Sequence, residues 1–200
     1  MMSTILIQKQ PIRTKTLREI SKLSKSYRHQ ADICIQNTIL SMPQYLKSNV
    51  ICYYVSTQYE VDTIQLIKKE LDSKNKLVIV PKIYSHDLRL YEITSWRDIH
   101  IGTYGIQEPN DTCKHVAPPK IDLFLIPGIA FGQNGSRIGH GKGYYDRLLQ
   151  KVKVPIIGLA YDIQMYSTVA HGVKDKKVDI IITETHIYDF SITPFRRQNL

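Results

Sequence analysis

Cysteine is scarce in this chain: Cys34, Cys52 and Cys113 are the three in 200 residues. So few, odd in number and widely separated, they exclude a disulfide framework and a zinc knuckle, and make a reducing, cytoplasmic setting the default. Also missing is any stretch near the ~20 consecutive apolar residues that span a membrane. The start, MMSTILIQKQPIRTK, sets basic residues after a short apolar patch, the reverse of a secretory signal. An organelle presequence and a plain disordered start both remain open there, and the early Glu19 favours the second. Internal repeats, low-complexity tracts and a second core are absent too, so residues 1–200 are expected to form a single domain.

Acidic residues are outnumbered, 18 against 27 basic ones, for a formal charge of +9. A nucleic-acid binder would carry such a charge, and so would an enzyme whose substrates are all anions. The interleaved basic and aromatic residues of an RRM-type RNA binder are lacking. The expectation is therefore a monomeric enzyme of small molecules, with neither nucleic acid nor membrane as partner. A hydrophobic content of 42% suffices for a sizeable core.

The richest stretch is 125–148, LIPGIAFGQNGSRIGHGKGYYDRL. An apolar run, Ile121 and Leu123 to Ile126, stops at Pro127-Gly128 like a buried strand meeting a turn. Gly139, Gly141 and Gly143 then alternate with His140 and Lys142. Tyr144, Tyr145, Leu148 and Leu149 follow at helical spacing. Strand, glycine-rich loop and helix start together make an anion site from converging N–H groups and the helix dipole. Arg137 and Lys142 flank it, one a planar fork and the other a mobile point charge. Asp146, in the first turn, suits Mg²⁺, which takes few protein oxygens. No Ser or Thr follows Gly141-Lys142, so this is no Walker A loop, and the third glycine comes one residue early for a dinucleotide fingerprint. On spacing alone, a phosphate cradle and a tight structural turn both remain open.

Elsewhere, residues 12–40 read as two helical faces, Leu17, Ile20 and Leu23, then Tyr27, Ala31, Cys34, Ile35 and Thr38, with Ser24 or Ser26 as N-cap. Lys15 and Arg18 share a helix face one turn apart, either solvated or meeting one anion. Val50 to Val55 is a strand ending in a polar loop, where open α/β sheets place ligands. Glu60 and Asp62 then either serve the start of the helix carrying Ile64, Leu66, Ile67 and Leu71, or reach a ligand. Strands are expected at Leu77–Val80, at Leu88–Ile93 near an edge, at Ile156–Ala160 and at Val178–Thr183. Tyr91, Trp96 and Tyr104 are packing aromatics or stacking surfaces. Asn110–Lys120 reads as a flexible connector, and 184–200 carries no pattern. Alternating strands and helices argue α/β layers around a mainly parallel sheet.

Pro127-Gly128, Phe131, Arg137-Ile138-Gly139 and Gly141-Lys142-Gly143-Tyr144-Tyr145-Asp146 resemble the signature of the 5-formyltetrahydrofolate cyclo-ligase family, also called methenyltetrahydrofolate synthetase. The resemblance covers roughly residues 15–183. It implies a three-layer αβα fold shared with glucosamine-phosphate deaminase, ribose-phosphate isomerase and the CoA-transferases. It also implies Mg²⁺- and ATP-dependent closure of 5-formyltetrahydrofolate to 5,10-methenyltetrahydrofolate through a phosphorylated formyl group, releasing ADP and phosphate. Arg137 and Lys142 would be catalytic. Lys15, Arg18, Ser136, Arg137, Ile138, Gly139, His140, Gly141, Lys142, Gly143 and Tyr144 would meet ATP, with Thr14 standing where the family's first lysine usually lies. Val55 and Glu60, with Gly139 to Gly143, would meet the folate, and Asp146 and Asp179 would hold the metal. His140 stands where the family commonly has Arg, so ATP binding is expected to weaken as pH rises through the imidazole value, ~6.5 unperturbed. Gly132 replaces a usual Asp and is expected to loosen its loop.

Overall fold

The computed structural model describes residues 4–102, 105–191 and 196–199. Among these, nine strands join one sheet in the order β14-β13-β12-β10-β7-β1-β2-β3-β6. Its centre is parallel: β1 (Val50–Cys52) lies between β2 (Leu77–Tyr84) and β7 (Leu123–Ile126), and β10 (Ile156–Leu159) and β12 (Ile180–Ile182) follow. Antiparallel strands extend both edges, β3 (Asp87–Ile93) and β6 (Lys114–Val116) on one side, β13 (His186–Asp189) and β14 (Arg196–Asn199) on the other.

The central strands are apolar throughout because both faces are covered, which is why they read as continuous runs. Leu123, Leu125, Ile157 and Ile182 face α2 (Lys25–Ser41), α3 (Pro43–Lys47) and α4 (Ile64–Ser73) through Ile35, Ile39, Tyr45 and Ile67. Phe124, Ile126, Ile156 and Ile181 face the other way, onto Leu148 and Leu149 of α5 (Tyr144–Leu149) and onto Phe131. Helix, sheet and helix thus make the expected layers. On the α5 side a small sheet, β11 (Met165–Tyr166), β8 (Ala130–Gly132) and β9 (Arg137–Ile138), carries the glycine-rich stretch. Strands β4 (Ile99–Ile101) and β5 (Gln107–Pro109) form a separate ribbon.

Four expectations change. The N-terminus is ordered helix, α1 (Thr4–Lys22), with Pro11 inside it. A proline blocks one backbone donor but need not end a helix that tertiary contacts support. Strand β2 runs through Pro81 to Tyr84, in a hairpin with β3. The 110–120 connector contains β6, and the stretch after 184 contains β13 and β14, both at sheet edges where alternation is weakest. Ser24, rather than Ser26, caps α2 by accepting from Tyr27 N–H at 3.1 Å.

Candidate active site

Strands β7, β1 and β2 all end at the same edge of the sheet, and a cleft of about 450 Å³ opens there. That size suits a small-molecule ligand. The polar backbone at its floor is already satisfied. Pro127 C=O accepts from Arg137 at 3.4 Å, and Gly128 C=O from the buried Gln164 amide at 2.7 Å. One wall is the glycine-rich loop. Arg137 reaches into it from strand β9, 5% exposed, and Gly139 makes that possible: a Cβ there would lie 2.7 Å from the guanidinium. Gly141 and Gly143 adopt φ of 100° and 67°, the left-handed region that side chains avoid.

Charge at this wall comes from side chains more than from the helix, since α5 has six residues and correspondingly little macrodipole. Arg137 donates to Asp146 Oδ1 at 3.1 Å and lies 5.6 Å from the Tyr145 ring centre. Its Nε is buried with no acceptor. Two further cations arrive from α1. Arg13 Nε donates to Gly139 C=O at 2.7 Å, and Lys9 pairs with Asp175 at 2.5 Å. Burial pushes the Asp175 carboxyl up, but the Lys9 ammonium and the Gly172 N–H outweigh it and hold the group below the usual carboxylate range. Lys142 is exposed at the mouth.

The opposite wall is apolar, with Val55, Pro81, Ile83, Leu88 and Ile106, and it includes two carboxyl groups, Glu60 and Glu108. Glu60 is 8% exposed and well held: Oε2 accepts from Thr57 N–H at 2.8 Å and Thr57 Oγ1 at 2.9 Å. The loop beneath it is clamped to α2, because Arg28 donates to the carbonyls of Gln58 and Glu60, and Tyr161 OH joins Asp32 at 2.7 Å. Tyr54 and Tyr145 line the base, and burial raises both hydroxyls well above their ordinary range, so each stays a neutral donor. Arg147 ties the walls together. Its Nε donates to Asp87 at 2.8 Å, one terminal nitrogen to Lys142 C=O at 3.0 Å, and the other to His86 C=O. The tip of the β2–β3 hairpin is thereby strapped to the glycine-rich loop.

The family model described as "5-formyltetrahydrofolate cyclo-ligase family" matches residues 6–184 of this sequence, through both walls of the cleft. The chain belongs to the 5-formyltetrahydrofolate cyclo-ligase family. It is therefore an enzyme, of the ligase class. A Caenorhabditis elegans protein named a probable 5-formyltetrahydrofolate cyclo-ligase is 30% identical over 206 residues, covering 94% of this chain and 99% of its own. The 5-formyltetrahydrofolate cyclo-ligase of Mus musculus is 26% identical over 195 residues, covering 90% and 96%. The NMR structure of Aquifex aeolicus 5,10-methenyltetrahydrofolate synthetase superposes with a TM-score of 0.84 at 33% identity, covering 92% of this chain and 93% of that one.

Set against this cyclo-ligase cleft, most expected residues converge. Arg137, Gly139, His140, Gly141, Lys142, Gly143, Tyr144, Asp146, Val55 and Glu60 all line it. Ser136 and Ile138 do not: both are fully buried, the first bonding Asn134 and the second packing with Ala130 and Val169. Lys15 and Arg18 also stand outside, exposed, one helical turn too far along α1. Lys9 and Arg13 take that place. They are four residues apart and so share a face, a signal hidden by the expectation of a disordered start.

Asp179 is the clearest correction. It sits at the start of β12, on the edge of the sheet remote from the cleft, where its carboxyl accepts Ile156 N–H at 2.8 Å. Burial raises its pKa. The acid that does enter the cleft is Asp175, four residues earlier and unnoticed in the sequence. Asp62, not Glu60, serves the helix start, accepting Ile64 N–H at 2.9 Å. Gly132 does not loosen its turn: Ser136 and Asn134 close over it, and a Cβ would lie 2.5 Å from Ser136 Oγ. Tyr91 and Trp96 pack away from the cleft, and Tyr104 lies outside the described residues. His140 Nε2 lies 3.7 Å from Glu60 Oε1, so the imidazole of the loop faces the carboxyl across the cleft.

Among the described residues no cluster of three or more His, Cys, Asp or Glu could hold a metal unaided. Of the four carboxyls that line the cleft, Asp146 and Asp175 are the aspartates, each paired with one of its cations. That donor set fits Mg²⁺, which keeps waters and takes one or two carboxylates beside substrate phosphates, and does not fit a zinc site. No helix among the described residues is long and apolar enough to cross a membrane.

Proposed function

We propose that this cleft binds ATP along the glycine-rich wall and 5-formyltetrahydrofolate along the apolar wall. It then closes the folate to 5,10-methenyltetrahydrofolate with release of ADP and phosphate. The observation that carries the reading is Arg137: a buried guanidinium that pairs with Asp146 but keeps an unpartnered Nε, beside a glycine-rich loop, leaves a charged donor for a bound anion. Lys142, Arg13 and Lys9 converge on the same space. Phosphoryl transfer asks chiefly for positioning and charge neutralisation, and such preorganised donors commonly contribute ~10²–10³-fold in rate.

In the proposed reaction the formyl oxygen attacks the γ-phosphorus, ADP leaves, and the formyl carbon becomes an iminium-like centre. The substrate's N10 then attacks that carbon, its proton is lost, and phosphate departs as the ring closes. Arg137 and the Gly139–Gly143 backbone hold the triphosphate, Lys142 neutralises charge at the transferring group, and Arg13 fixes the loop through Gly139 C=O. Asp146 and Asp175 would hold Mg²⁺, whose contribution when bound is to neutralise phosphate charge. Lys9 holds Asp175 in place. Glu60 accepts donors of the pterin, and Val55, Pro81, Ile83 and Leu88 cover its ring system and exclude water. The cysteines take no part: none lines the cleft, and burial pushes the Cys52 thiol far up.

The test is to incubate protein, Mg-ATP and 5-formyltetrahydrofolate and follow the methenyl chromophore, omitting each component in turn. Chromophore and stoichiometric phosphate should appear only in the complete mixture. Chromophore formation without nucleotide, or phosphate release without folate at the same rate, would overturn the proposal.

A further inference from the structure

Three glutamates are buried, and two of them are spoken for. Glu60 bonds Thr57, and Glu70 accepts from Tyr45 OH at 2.8 Å. Glu108 is different. It is 2% exposed, its Oε1 is sealed from solvent, and that oxygen has no hydrogen-bond partner. A buried acceptor left unmade is costly, and proteins retain few of them.

A second, independent feature makes room for it. Glu108 lies on β5, opposite His100 of β4, and just beyond the ribbon's last pair Gly102 N–H donates to Ile106 C=O at 2.8 Å. A Cβ on Gly102 would stand 2.3 Å from Glu108 Oε2. The missing side chain of Gly102 thus leaves the space that the carboxyl occupies. The same carboxyl lines the cleft together with Pro81, Ile83, Leu88 and Ile106. Around the terminal torsion of a glutamate the energy profile is broad and two-fold, so either oxygen can be presented without strain.

An apolar slot with an unpaired acceptor suits a flat, largely apolar ring bearing N–H donors. We infer that Glu108 is a second folate-binding carboxyl, accepting a hydrogen bond from an N–H of the reduced pterin, and that it sets specificity for that ring. This rests on the reading that the apolar wall takes the folate. Glu60 remains the other acceptor, with one oxygen already committed to Thr57. Glu108 differs in that the ligand supplies all of its bonding.

The experiment compares wild type with Glu108→Leu and the near-isosteric Glu108→Gln. Methenyl formation gives the Michaelis constants, 5-formyltetrahydrofolate titrated without nucleotide gives affinity, and thermal unfolding gives stability. The Leu variant should raise KM and Kd for the folate by about 10- to 100-fold, and the Gln variant by less, as expected for one lost hydrogen bond to a charged or buried group. KM for ATP should stay within about twofold. The free Leu variant should melt at or above the wild-type temperature, because it removes a buried acceptor with no partner, and the near-isosteric Gln variant should melt close to it. A lower melting temperature with unchanged folate KM in both variants would overturn the inference and mark a structural residue. A fall in kcat at constant folate KM would overturn it as well. Should the wild type form no methenyl product, the functional reading itself fails; a turning-over wild type with a Leu variant of unaltered folate affinity sinks this inference alone.

Discussion

The two edges of the parallel sheet use the same side chain for opposite ends. At the edge away from the cleft, Asp122 accepts the N–H groups of Asn49 and Val50 at 2.9 Å, and Asp179 accepts that of Ile156 at 2.8 Å. These acids sit where parallel strands begin and N–H groups would otherwise go unpaired. At the cleft edge, Asp146 and Asp175 face Arg137 and Lys9 instead. An aspartate's identity therefore says little about its job; which end of the strands it reaches says much. Asp175 and Asp179 are four residues apart, and extended chain of that length spans at most ~14 Å, enough to pass from one role to the other.

The comparison is broken most directly at the mouth of the cleft. Replacing the exposed Lys142 by Ala should cut kcat by ~10²–10³-fold with the melting temperature unchanged, since its proposed role is to neutralise ligand charge and its side chain is exposed. Single-turnover methenyl formation beside a thermal melt measures both, and a near-normal rate in the folded variant would contradict the role.

Next, Asp175→Asn should raise KM for ATP by about tenfold or more, whereas Asp179→Asn should leave KM and kcat within about twofold. Their pH signatures should also diverge. The folded-state pKa of Asp175 is lowered, so the stability it lends is present above the ordinary carboxylate value and is lost as pH falls through the folded one. That of Asp179 is raised by burial, so its contribution is present in acid and is lost as pH rises through the folded value. Urea melts from pH 3 to 7, roughly the range of carboxylate titration, should show Asp175→Asn deficient at the neutral end and Asp179→Asn no less stable there. Equal effects of the two substitutions would erase the distinction between the edges.

A smaller effect sharpens the N-terminal assignment. Lys9→Ala and Arg13→Ala should each raise KM for ATP several-fold, on the order of one charge-assisted hydrogen bond, while Lys15→Ala and Arg18→Ala should do nothing measurable. The smallest concerns Arg28, which holds the loop under Glu60 from outside the cleft. Arg28→Ala should raise the folate KM a few-fold, roughly one lost hydrogen bond, and spare that of ATP.

The outcome also shows what a sequence can and cannot carry. The central strands were legible because burial on both faces writes itself as unbroken Leu and Ile. The glycine-rich wall was legible because Gly141 and Gly143 sit at backbone angles that only glycine takes freely. Glu60 and Val55 were placed through likeness alone; spacing left Glu60 indistinguishable from Asp62. What stayed hidden were contacts across long stretches of chain. Nothing local tells that Lys9 meets Asp175 rather than solvent, that Asp179 turns to Ile156, or that Gly102 clears space for Glu108. Edge strands such as β6 and β14 were missed for a related reason, since half-exposed pairing imposes no strict alternation.

Arg147 has a consequence for the glycine-rich wall. Each of its three nitrogens bonds the hairpin tip or the glycine-rich loop, so neither can be displaced without breaking bonds to the other. One side chain thus fixes the spacing between hairpin and loop, and holds the glycine-rich segment in place from its outer side.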